Sequence, residues 1–109
     1  MKLVLAIIND DDAINVMELL REGGFQVTKL ATTGGFLRSG NTTLICGVED
    51  DKVPTVIDII ETNSRSRKQI TSTQAGSSMS IESYIPTPIE ILVGGGTIFV
   101  LDVEQFKKV

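Results

Sequence analysis

The residues best suited to chemistry lie in one run, Thr32-Thr33-Gly34-Gly35-Phe36-Leu37-Arg38-Ser39-Gly40-Asn41. Glycines let backbone N–H groups approach and curl round an anion. Arg38 adds charge, Asn41 and the threonines add directional hydrogen bonds, and Phe36 adds a stacking face. The same residue types also suit a plain hairpin turn with Phe36 filling core, and both readings stay open. A Walker A loop is excluded, because Gly-Lys-Ser/Thr is missing. Gly94-Gly95-Gly96 is a second candidate, either a tight turn or a place where a ligand or neighbouring chain comes close. Arg65, Arg67 and Lys68 form a basic cluster that can close over phosphates or simply be solvated. Phe99 and Phe106 read as packing residues, although an aromatic at a sheet edge can stack on a base.

Composition removes most catalytic chemistries. The 109 residues include no histidine, which excludes Ser-His-Asp and Cys-His catalysis and His-based zinc sites. Cys46 is alone, so neither an internal disulfide nor a CxxC motif is possible. It falls between Leu44 and Val48 on one strand face and reads as buried and inert. No nucleophile has a recognisable base, and an enzyme is not expected. A net charge of −4 argues against a DNA or RNA duplex as partner. The longest apolar run, Leu3–Ile8, is far below the ~20 residues that span a bilayer, so no membrane partner and a cytoplasmic location are expected.

The elements that must position these residues follow from periodicity. Leu3–Ile8 is continuously apolar, as in a strand buried on both faces. Asp10-Asp11-Asp12 suits a helix start, and Gly23-Gly24 a left-handed stop, giving a helix over about 12–22 with Ile14, Met17 and Leu20 inward. Phe25–Thr33 reads as a second strand and Asn41–Val48 as a third, joined by a short loop at 34–40. On the third, Thr42, Leu44, Cys46 and Val48 share one face, and Asn41, Thr43, Ile45 and Gly47 the other. Val53, Val56, Ile57 and Ile60 make a helical stripe, with Pro54 in its first turn. Ile89–Val93 and Thr97–Leu101 read as two final strands.

Residues 63–88 stand apart: sixteen of the 26 are Ser, Thr, Asn, Gln, Gly or Pro. They read as one long flexible loop, functional or disordered. The expected fold class is therefore α+β: a ferredoxin-like βαββαβ sandwich, residues 1–109 as one domain, with an extra C-terminal strand. Helices on one sheet face leave the other bare, which on a small chain predicts self-association.

The run from Thr28 to Thr43 resembles the signature of the PII-like cyclic di-AMP receptors of Gram-positive bacteria. So do Ser83-Tyr84-Ile85-Pro86, Val93–Leu101 and Val103-Glu104-Gln105-Phe106. The similarity covers essentially the whole chain. It implies a homotrimer that binds cyclic di-AMP, without other cofactors or metal, at sites between adjacent subunits, and that signals to an unknown protein target. Family contacts carry over onto Thr28, Gly35, Phe36, Leu37, Asn41 and Gly47, with Phe99 lining an adenine pocket. Gln26, Arg38, Gly94 and Gly95 are possible additions. Gln26 stands where relatives often carry arginine. A sensor of ATP or another adenine nucleotide, and an interaction scaffold with a vestigial pocket, are the competing readings.

Overall fold

The computed structural model describes residues 1–30, 40–72 and 88–109. Along the chain run β1 (Lys2–Asn9), α1 (Asp10–Glu22), β2 (Thr28–Leu30), β3 (Asn41–Val48), α2 (Val53–Ser64), β4 (Arg67–Ser72), β5 (Pro88–Val93) and β6 (Gly96–Asp102). The Asn9 side chain caps α1 by accepting the Asp11 N–H at 2.9 Å, so the helix starts two residues before the expected position 12. Acids in its first turn face the positive end of the helix dipole. At the other end Gly24 takes a φ of 86°, and its N–H donates to the Arg21 carbonyl at 2.9 Å. Pro54 enters the first turn of α2, where its missing N–H costs nothing.

The described strands form a four-stranded sheet, β2-β3-β1-β6, antiparallel throughout, and a separate two-stranded ribbon, β4-β5. Both helices cover one face of the sheet. There Val4, Ala6 and Ile8 of β1, with Leu44, Cys46 and Val48 of β3, join Ala13, Val16 and Leu20 of α1 and Val56 and Ile60 of α2 in the core. The face assignment of β3 expected from alternation therefore holds.

Several expectations need correction, beginning with the second strand, expected from Phe25: residues 25–27 precede β2, which starts at Thr28. Leu3–Ile8 is fully buried on the helix side alone; Leu3, Leu5 and Ile7, which point to the second face, are half-buried among the described residues. Ile14 is exposed, whereas Leu20 and Val16 of the apolar stripe are buried as expected, with Ala13 beside them. The surplus strand is not C-terminal. β6 completes the sheet beside β1, while the strand before it pairs with β4, which the reading of 63–88 as loop had overlooked. Arg67-Lys68-Gln69-Ile70-Thr71-Ser72 has one apolar residue and no hydrophobic alternation, so its strand comes from pairing with 88–93, not from its own pattern. Residues 63 and 64, likewise, belong to α2.

Candidate functional site

Antiparallel register places the expected contacts relative to one another. On the sheet face opposite the helices, Thr28 pairs with Ile45, Ile45 with Leu5, and Leu5 with Phe99, one row across all four strands. In the adjacent row Gly47 opposes Leu3, and Leu3 opposes Leu101, while Asn41 opposes Asn9 at the far end of β3. Thr28, Asn41, Gly47 and Phe99 therefore share one sheet face.

They do not form a single compact pocket within one protomer. Thr28 and Phe99 are three strand spacings apart, about 14 Å, and Asn41 and Gly47 are six residues apart on one strand, about 20 Å. Any ligand touching all four must be long, or must meet residues contributed by more than one copy of the chain.

Thr28, Gly47 and Gln26 do come together. They line a groove of about 500 Å³ whose other walls are Met1, Leu3, Ile45, Val103 and Phe106. Short backbone reach explains the last two: the Val103 N–H donates to the Met1 carbonyl at 3.3 Å, and Lys2 pairs with Asp102, tying the end of β6 to the start of β1. Below the groove, the Met1 ammonium pairs with Asp50 at 2.9 Å. That hydrogen bond raises the amine above its ordinary range and holds the Asp50 carboxyl below its own. Gly47 matters through what it lacks. A Cβ placed there would meet no heavy atom within 4 Å, so the space beside it is open. Phe106 is 65% exposed, an aromatic face available at the groove wall. From the sequence it reads as a packing residue, with stacking on a base as the alternative.

Gly94 and Gly95 lie elsewhere, at the turn between β5 and β6. Both have positive φ, 75° and 90°, and the Gly95 N–H donates to the Ser64 carbonyl at 2.6 Å. A Cβ on Gly94 would come within 2.8 Å of the Arg65 carbonyl oxygen. The close approach is thus to this chain's own backbone and to Arg67, which grips Asp12 of α1 at 2.9 Å. Asp12 is 8% exposed, and its bond to Arg67 raises the guanidinium pKa further. Of the basic cluster, Arg67 is therefore a structural clamp, and Lys68 pairs with Glu90 at 3.5 Å on the ribbon. Gly35, Phe36, Leu37 and Arg38 lie outside the described residues.

Cys46 is buried on the helix side of β3, and burial pushes its thiol up. Among the described residues no group of three or more Cys, Asp or Glu side chains is placed to hold a metal ion.

The sheet order, with two helices packed on one face, is that of a ferredoxin-like α+β domain, and its open face carries a groove of ligand size. Over residues 1–109 the chain matches the profile of the cyclic-di-AMP receptors, and it belongs to that family. It is also similar to a functionally unknown protein from Pediococcus pentosaceus ATCC 25745, known from a crystal structure. The two are 40% identical with a TM-score of 0.76, over 99% of this chain and 96% of that one.

Proposed function

We propose that this chain is a non-enzymatic signal-transduction protein, a single domain that assembles as a cytoplasmic homotrimer. It binds cyclic di-AMP where protomers meet, and binding orders the segment between β4 and β5 to change the surface offered to a protein target. The observation that carries this reading is the spread of Thr28, Asn41, Gly47 and Phe99 over one open apolar face. One copy cannot close those residues on a ligand; two copies meeting through that face can.

The chemistry suits a dinucleotide on an acidic protein. An apolar wall with Ile45 and Phe106 accepts an adenine, and Thr28 offers neutral hydrogen bonds to its edge. Backbone N–H groups of the expected loop contacts Gly35–Leu37 can meet phosphate oxygens without a basic exterior, which reconciles an anionic ligand with a net charge of −4.

Calorimetric titration with cyclic di-AMP, cyclic di-GMP and ATP tests the assignment, with light scattering giving the assembly state. Preference for cyclic di-AMP at one ligand per protomer of a trimer is expected. Equal or better binding of ATP would transfer the site to a mononucleotide sensor, and a stable monomer would remove the shared site altogether.

A further inference from the structure

The groove lined by Thr28 and Ile45 does not end at Gly47. A second lobe of about 430 Å³ lies on the other side of Gln26 and Gly47, and both residues belong to both lobes. Since Gly47 has no side chain and open space beside it, nothing there partitions the two. The lobes differ in chemistry. The first is walled mainly by apolar side chains. The second is walled by Gly23, Gly24 and Phe25 from the end of α1, and by Val48, Glu49 and Lys52.

Within that second lobe the donors can be counted. The N–H groups of Gly23, Gly24 and Phe25 are spent on the Leu19, Arg21 and Leu20 carbonyls at 3.1, 2.9 and 2.9 Å. What remains on side chains is the Gln26 amide and the Lys52 ammonium. Lys52 is the one cation on the wall, and among the described residues it has no carboxylate within ion-pairing distance. Its backbone is fixed, the N–H donating to the Glu49 carbonyl at 2.9 Å in the 3₁₀ turn that leads into α2. Glu49 is the one anion on the same wall.

We propose that Lys52 is a ligand-binding residue: a phosphodiester of the bound nucleotide occupies this second lobe against the Lys52 ammonium, with the adjoining base in the apolar lobe beyond Gly47. This deepens the receptor reading and rests on it. The neutral Gln26 supplies a hydrogen bond but no charge, so the electrostatic attraction in this lobe falls to Lys52. Glu49 opposes it, which gives the site a signed response to mutation.

The test is calorimetric titration of cyclic di-AMP into wild type, Lys52→Gln, Glu49→Gln and a charge-changing control on the exposed side of α2, Asp58→Asn, at about 50 and about 300 mM salt. Thermal melts establish that each variant is folded. Lys52→Gln is expected to weaken binding about three- to ten-fold at low salt and to flatten the salt dependence. Glu49→Gln is expected to tighten binding, and Asp58→Asn to leave it unchanged. A Lys52→Gln affinity matching wild type or the control, with wild type binding normally, overturns the role of Lys52 and leaves the receptor reading standing. Wild type that fails to bind cyclic di-AMP overturns both.

Discussion

A side chain added at Gly47 would project into open groove, while the strand backbone there is of ordinary extended form. Gly47→Val should therefore change stability by less than about 1 kcal/mol, since strands favour β-branched residues. Affinity for cyclic di-AMP should fall at least about tenfold, because the same methyls fill ligand space; calorimetry beside a thermal melt separates the two effects. Gln26 offers the opposite experiment. Arginine at this position on the groove wall would add a charge-assisted contact to phosphate, worth ~1.5–3 kcal/mol, so Gln26→Arg should tighten binding about 10–100-fold. Cys46 gives a pH prediction. Its thiol ionises above the ordinary 9.0 when folded, so the unfolded chain loses that proton first as pH rises. The stabilisation is fully present below about pH 9 and declines above it, and alkylation of the native thiol should be slow until the protein unfolds.

At the scale of elements, the root of the β4-β5 ribbon is fixed by a small set of contacts. Arg67 spans from β4 to the first turn of α1, where Asp12 is nearly buried, and Gly94 leaves the space in which the guanidinium sits. Removing Arg67 strands a buried carboxylate, whereas removing Asp12 frees an arginine that can turn to solvent. Arg67→Ala should accordingly lower the melting temperature more than Asp12→Ala. Gly94→Ala combines a left-handed backbone with an approach to the Arg65 carbonyl oxygen, and should cost at least about 1–3 kcal/mol by denaturant unfolding. Beyond that root the ribbon presents Ile70 and Leu92, which are 75% and 71% accessible.

Among the described residues, the sheet face opposite the helices stays partly exposed. Leu5, Ile45, Phe99 and Leu101 lie across it by register, and Phe99 is 50% exposed in one protomer. Exposing such a continuous apolar surface is unfavourable, and burying it between copies recovers about 25 cal/mol per Å². Leu101→Lys on β6 should leave the helix-side core intact yet, if the proposed trimer forms through this face, shift it to monomer in light scattering. Cyclic di-AMP binding should disappear with the trimer. If the monomer binds as well as wild type, the site belongs to one protomer.

Much of this architecture was legible from residue types. The alternation of Asn41–Val48, the helical stripe from Val53 to Ile60 and the Gly23-Gly24 stop each reflect burial or backbone geometry acting over a few residues. The run from Thr28 to Thr43 pointed to the family by resemblance. Pairing across distance is different in kind. Residues 67–72 carry no strand pattern of their own, and only their register with 88–93 makes them one, leaving β6 rather than β5 to complete the sheet. The same holds for the site. The resemblance to the family made Thr28 and Gly47 candidates, but the fold alone set them in one groove with Phe106 and left Phe99 about 14 Å from Thr28, because register and chain reversal bring together residues that no short stretch of sequence relates.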